Sequence, residues 1–385
     1  MPHARIAKPR LLALLRQFPV VMVVGPRQIG KSTLARWALP GYEHLDLEHP
    51  DDVARLRRDP VFALTQSRRV VLDEAQRMPE LFPILRSLVD RQPSSRYVLL
   101  GSASPEIGRR VSESLTGRVG VLELGEISVF EARAEDIWVR GGFPRVHWSR
   151  PRAKPEDWYP AYLKTSLEQD VPQLGFRIPA ERMRTLLTMI GHLQGGICNL
   201  SELGGSLGVS YHAVDHVLDV LEGLFLVRRL RPYFANVGKR LVKSPKVYLR
   251  DTGLLHSLLR LPFKKKALLA HPKAGASFET FCIEQIVLHA QLADPQAQAY
   301  FYRTHAGAEV DLLLLLRGEL IPIEIKLGSS IPNTRGLESC MRDLKLDRGY
   351  VASAVSQHRE IGAGLTLCGL EELLGELGLR PKARR

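Results

Sequence analysis

The segment VVMVVGPRQIGKST, residues 20–33, restricts the possible folds more than any other stretch of the chain. Its apolar run Val20–Val24 predicts a buried strand, and an amphipathic segment follows the loop, so the order is strand, glycine loop, helix. The loop fits G-x-x-x-x-G-K-[ST] at every required position. Gly25 and Gly30 let backbone N–H groups curl around phosphate oxygens at a helix N-terminus. Lys31 then reaches the outer phosphates, the Ser32 hydroxyl ligates Mg²⁺, and Thr33 completes the loop.

Two further strands fit one parallel sheet over residues 1–150. RRVVLDEAQ ends a buried strand in Asp73 and Glu74, and carboxylates at that end of a parallel strand face the ligand. Asp73 is expected to hold Mg²⁺ through water, and Glu74 to orient and deprotonate the attacking water. RYVLLGSAS ends in Ser102 and Ser104, either of which could lie between the two nucleotide-side strands and sense the γ-phosphate. SESLTGRV delivers Arg118, read either as an arginine offered to a neighbouring subunit's site or as a surface residue.

Together VVMVVGPRQIGKSTL, VVLDEAQRMPELFPILRSLVD, YVLLGSAS and ESLTGRV resemble the AAA-type ATPases that carry a C-terminal DUF4143 region. YLKTSLEQDVP (162–172) and VKSPKVYLRDTGLL (242–255) extend the resemblance through most of the chain. It implies that Lys31, Ser32, Asp73, Glu74, Ser102 and Arg118 serve as phosphate lysine, Mg²⁺ ligand, Walker B pair, sensor and finger. It also implies ATP, Mg²⁺ and a homo-oligomer, a hexameric ring among the candidates, with nucleotide at subunit interfaces.

Breaks at PRAKPED (151–157) and KKKALLAHPKAGA (264–276) set off a mostly helical module over 155–255 and a second α/β domain over 270–385. LSELGGSLGVSYHAVDHVLDVLEGLFLVRRLRPY has winged-helix anatomy. Ser201 and Ser210 are expected to cap successive helices, with Gly208 in the turn and Val214, Val217, Leu218 and Leu221 packing the second helix. Arg228, Arg229, Arg231, Lys239, Arg240 and Lys243 form a basic wing suited to phosphates. Tyr211, His212, Asp215 and His216 are poor base readers, so DNA backbone binding or subunit packing is expected rather than sequence reading.

In GAEVDLLLLLRGELIPIEIK, residues 307–326, polar groups interrupt an apolar hairpin. Pro322 cannot donate to a ladder, which favours a four-residue loop, Arg317 to Leu320, with Leu316 facing Ile321 and Asp311 opposite Lys326. A two-residue loop at Gly318-Glu319 keeps that register, and both put Asp311, Glu324 and Lys326 on one face. Glu279, on the helical face of Ile283 and Ile286, is a fourth candidate. The set resembles the PD-(D/E)xK nuclease arrangement, a restriction-endonuclease-like domain in which Glu279, Asp311 and Glu324 hold Mg²⁺ and Lys326 assists the water. Alternatively, Lys326 only neutralises the carboxylates.

Net charge of +13 and a pI near 9.7 suit a polyanion, DNA first and branched or forked DNA among its forms. Four scattered cysteines exclude a CxxC metal site and a disulfide framework. The apolar runs fall short of a membrane span, so a cytoplasmic protein is expected. The leading expectation is an ATP-hydrolysing oligomeric motor coupled to a Mg²⁺-dependent DNA endonuclease. The alternative is a nucleotide-switched binding ATPase whose C-terminal domain docks a partner without cutting. A small-molecule P-loop kinase is disfavoured by the Asp73-Glu74 pair and by the two further domains.

Overall fold

The computed structural model describes residues 4–101, 113–149, 151–173, 176, 178–233, 242–328, 333–355 and 358–381. Ser102, Ser104, Lys239 and Arg240 lie outside them. The chain forms two compact units, one built mainly on residues up to Ile127 and the other mainly on those from Ser128.

The first unit holds β1 (Val20–Val24), β2 (Glu43–Asp46), β3 (Arg69–Asp73), β4 (Arg96–Gly101) and β5 (Val119–Glu123) in the order β2-β3-β4-β1-β5, every pairing parallel. Burial explains the strand sequences. In β1 all five residues are buried, as expected of an inner strand covered on both faces. The edge strand β5 alternates, leaving Val121 57% exposed. The crossover helix Leu81–Arg91 buries Leu81, Phe82, Leu85, Leu88 and Val89, one helical stripe, against this unit's core.

In the second unit the helices Ala180–Leu193, Leu200–Leu207 and Tyr211–Gly223 precede β6 (Val227–Pro232) and β7 (Lys246–Leu249). Asn199 caps the second of these helices, its side chain accepting from the N–H groups of Ser201 and Glu202. The cap expected at Ser201 therefore falls two residues earlier, because Asn serves there as well as Ser. Ser210 does cap the next helix, accepting from the Ala213 N–H at 3.3 Å, and Gly208 takes the left-handed turn at φ +63°. Val214, Val217, Leu218 and Leu221 are buried, as their spacing predicts.

After the helix Ala274–Ala293 come β8 (Gln298–Arg303), β9 (Glu309–Leu316), β10 (Glu319–Lys326), β11 (Gly349–Ser353), β12 (His358–Gly362) and β13 (Leu365–Gly369). They join β6 and β7 in a mixed eight-stranded sheet, ordered β12-β13-β11-β10-β9-β8-β6-β7. The fold is thus α/β, with a parallel five-stranded sheet, a largely helical middle and a mixed C-terminal sheet. All four cysteines are buried free thiols. Among the described residues no helix is long and apolar enough to cross a membrane.

The β9–β10 hairpin corrects the expected register. Glu319 faces Leu316 and Ile323 faces Leu312, which leaves only Arg317 and Gly318 in the turn. Both have positive φ, +51° and +83°, the signature of a type I′ turn. Arg317 is an uncommon residue there, but its backbone N–H donates to Asp294 Oδ2 and its guanidinium reaches the carbonyls of Leu377 and Gly378. Continuing the ladder sets Asp311 opposite Glu324 rather than Lys326. A shift of two leaves every side chain on its expected face. In a two-residue hairpin the pair Leu313–Pro322 is a non-hydrogen-bonded one, so proline costs β9 no bond.

Candidate functional site

The glycine loop lies at the carboxyl end of β1 and opens the helix Lys31–Ala38. A Cβ on Gly25 would collide with the Leu124 carbonyl oxygen, and Gly30 adopts φ +96°. Arg5 braces the loop from below, donating to the carbonyls of Ile29 (2.9 Å), Gly125 (2.7 Å) and Glu126 (3.0 Å). Nothing in the spacing of the motif marks Arg5, whose role depends on contacts across more than a hundred residues. Lys31 is buried, with Nζ donating to the carbonyls of Gly25 and Pro26 at 3.0 Å each. Ser32 is half-buried behind it, and Thr33 is exposed.

Strand β4 separates β1 from β3, so the third apolar strand does run between the two nucleotide-side strands. Asp73 ends β3, and Glu74 follows in the left-handed region at φ +53°. Asp73 Oδ1 accepts from the Glu74 N–H at 3.1 Å. Burial raises the Glu74 carboxyl above its ordinary pKa, opposed by the positive charge of Lys31. Gln76 Nε2 donates to Glu74 Oε2, a contact sequence reading missed. These groups fit a nucleotide with its Mg²⁺: a glycine cradle, an ammonium held on carbonyls that phosphate can replace, and two adjacent carboxylates.

Arg118 stands apart from them. Its carbonyl accepts from the Val20 N–H, at the amino end of β1, whereas Gly25 follows the carboxyl end. The length of β1, roughly 16 Å at the strand rise, separates it from the loop of its own chain.

The C-terminal candidates converge on one centre. Lys326 Nζ is 2.6 Å from Glu324 Oε1 and 3.8 Å from Asp311 Oδ2, which also accepts the Ile325 N–H at 2.9 Å. Glu279 joins them from its helix, accepting from the Tyr248 hydroxyl at 2.7 Å. Burial and then the charge of Asp311 push the carboxyl pKa up to about 8 at Glu279 and about 7 at Glu324. Two groups absent from the sequence reading complete the centre, Glu309 and Lys246. Lys246 Nζ lies 2.6 Å from Glu309 Oε1, 3.6 Å from Asp311 Oδ1 and 3.8 Å from Glu279 Oε1.

That ammonium bears on the expected metal set. Glu279, Asp311 and Glu324 do meet, yet a protein cation already lies against two of them. Among the described residues no group of three His, Cys, Asp or Glu side chains is arranged to hold a metal ion. As placed, the carboxylates are met by protein ammonium groups, Lys246 at Glu279 and Asp311 and Lys326 at Asp311 and Glu324. A lysine opening the otherwise apolar strand KVYL was the available sequence signal, with Tyr248 two residues on and so on the same face.

The basic wing is partly committed as well. Arg229 pairs with Asp215 (2.9 Å), Asp219 and Glu222 (2.6 Å) along the helix Tyr211–Gly223, and Arg228 pairs with buried Glu284, which Arg250 also meets at 3.0 Å. Of the described wing residues, Arg231 and Lys243 are exposed.

The fold of the first unit and its loop define an AAA-type P-loop ATPase domain, and residues 17–132 match the AAA domain family model. Residues 131–265 match a domain of unknown function, DUF8612, and residues 274–373 match another, DUF4143. The chain is 43% identical over 351 residues to the uncharacterized proteins Rv2008c of Mycobacterium tuberculosis and Mb2031c of Mycobacterium bovis, covering 89% of this chain and 78% of each. It belongs to their family, with an N-terminal AAA domain and a C-terminal DUF4143 region, as the motifs predicted. A solved structure, the Walker-type ATPase paby2304 of Pyrococcus abyssi, resembles it loosely, with TM-score 0.43 and 14% identity over 68% of this chain and 96% of that one.

Proposed function

We propose that the chain is a nucleotide-switched binding ATPase that hydrolyses ATP, works as a homo-oligomer and docks a polyanion, DNA first, without cutting it. The observation that carries this reading is the Asp73-Glu74 pair at the carboxyl end of β3, facing the same sheet edge as Lys31, with β4 between. Lys31 would hold the outer phosphates. Ser32 and Asp73 would hold Mg²⁺, which when bound neutralises charge on the phosphates. Glu74 would take the proton of the attacking water, its raised pKa favouring that exchange. Arg118, remote from its own loop, would complete the site of a neighbouring copy.

The helix pair ending in Tyr211–Gly223, with β6 and β7, supports a winged-helix reading, and the net charge of +13 supports a phosphate backbone as partner. Lys246 among the C-terminal carboxylates favours docking over cutting. The test is ATP binding and phosphate release by the full chain, with Lys31→Ala as control. Tight ATP binding with no turnover, with or without DNA, would sink the ATPase reading.

A second reading, Mg²⁺-dependent cleavage of structured DNA by a restriction-endonuclease-like domain, is favoured by the shared face of Asp311, Glu324 and Lys326. Cleavage of labelled forked or four-way DNA that disappears in Asp311→Asn would establish it over the docking reading.

A further inference from the structure

Lys246 is the first residue of β7, where it faces Leu230 of β6. Its side chain is 2% exposed, against 42% for Lys326. Besides its three carboxylates, its ammonium lies 5.6 Å from the centroid of the Phe301 ring. Three carboxylates and an aromatic face around one position make a cation site, and the cation is part of the chain.

The strand fixes it there. Tyr248, two residues along β7, donates to Glu279, so the same strand face supplies both the ammonium and the hydroxyl that order this carboxylate. Withdrawing Lys246 would leave Lys326 near Asp311 and Arg303 on Glu309, but would remove the one ammonium that approaches Glu279, Glu309 and Asp311 together, an arrangement costlier than the paired one. Mg²⁺ requires oxygen ligands at about 2.0–2.1 Å in octahedral array. Asp311 and Glu279 cannot offer that array while an ammonium approaches both.

We propose that Lys246 is the resident counter-cation of the C-terminal centre. It closes the centre to divalent ions in the native chain, and its removal opens a divalent-cation site made by Glu279, Glu309 and Asp311. The inference rests on the docking reading and deepens it: the centre is a neutralised scaffold that ties β7 to β9 and the helix Ala274–Ala293.

The experiment is Mn²⁺ titration of the nucleotide-free full chain, free Mn²⁺ being read by electron paramagnetic resonance. Wild type, Lys246→Ala and Lys246→Met are compared, each with and without Asp311→Asn, which subtracts Mn²⁺ bound elsewhere. Both Lys246 variants should gain one site at least tenfold tighter than any Asp311-dependent binding in wild type. Mn²⁺ should also raise their melting temperatures by several degrees and leave that of wild type in place. Lys246→Met keeps the apolar stem should Lys246→Ala fold poorly, and a variant that folds only with Mn²⁺ counts as binding. No gain in either variant overturns the proposal. The wild-type arm is decisive by itself, since Asp311-dependent Mn²⁺ binding as tight as in Lys246→Met also overturns it. Such binding without DNA cleavage removes the lysine proposal alone, whereas cleavage lost in Asp311→Asn removes the docking reading too.

Discussion

Arg118 holds Asp90 in a two-pronged ion pair, Nε to Oδ1 at 2.7 Å and Nη2 to Oδ2 at 2.9 Å. The hydrogen bond from Arg118 lowers the Asp90 pKa, so both groups stay charged. The pair is exposed and weak by nature. It parks the guanidinium at the amino end of β1, outside reach of its own phosphate loop.

Arg118→Ala is accordingly predicted to lower ATP turnover by about 10³-fold or more while sparing ATP binding. Mixing Arg118→Ala with Glu74→Gln chains should restore part of the rate, because some interfaces then combine an intact loop with an intact arginine. Steady-state phosphate release on mixed and unmixed samples is the measurement. No recovery in the mixture would remove the role in trans.

Glu74→Gln should cut turnover by at least about 10²-fold with nucleotide affinity retained, since glutamine keeps the shape but cannot take a proton. Fluorescent-nucleotide binding beside phosphate release separates the two effects. Unchanged turnover would remove Glu74 from the role of base.

The two wing arginines should behave differently. Arg229 is shared by three carboxylates of one helix that would otherwise repel one another unrelieved, so Arg229→Ala should lower the melting temperature. Exposed Arg231 should act on binding instead: Arg231→Ala should reduce the slope of log K against log salt for DNA by about one. A salt slope unchanged in Arg231→Ala would take that residue off the DNA.

Two buried histidines give a pH prediction. His256 accepts from Ser277 Oγ at 2.6 Å and donates to the Val139 carbonyl; His289 relates in the same way to Ser128 and Leu379. Burial lowers both pKa values from 6.5 to about 4. Above pH 6.5 both states are neutral and no stability is at stake. Below it the unfolded chain takes up protons that the native one refuses, so stability falls with pH until about 4 is passed. The loss by pH 5 should be about 2 kcal/mol per histidine. Urea unfolding at pH 7 and pH 5 checks this, and equal stabilities would contradict it.

Two glycines with positive φ should differ in their tolerance of alanine. At Gly141, φ +82°, a Cβ would strike Tyr159 Oη and lie 2.7 Å from Asp251 Oδ1, whereas at Gly208, φ +63°, it would meet nothing within 4 Å. Gly141→Ala should cost more than about 3 kcal/mol, and Gly208→Ala only about 1–2 kcal/mol. Denaturant midpoints for the two variants decide, and similar losses would refute the steric account.

The sequence by itself determined whatever is written within one strand, loop or helix. Val20–Val24 is apolar throughout because both its faces are covered, and the glycines that follow are those a phosphate cradle requires. Asp73 and Glu74 were legible for the same reason, and so was the shared face of Asp311, Glu324 and Lys326, because strand alternation survives a shift of two residues. Only the tertiary structure decided the rest. Arg317 turns the hairpin because Asp294, Leu377 and Gly378 hold it in the left-handed region, and those contacts lie far away in the chain. Arg228 and Arg229 read as free positive charge until folding brings Glu284 and the carboxylates of a neighbouring helix against them. Lys246 is more than thirty residues from Glu279 and more than sixty from Asp311, yet burial sets its ammonium against their carboxylates and that of Glu309. Local spacing fixes which groups can share a face. Which charges must neutralise one another is set by the water that folding removes.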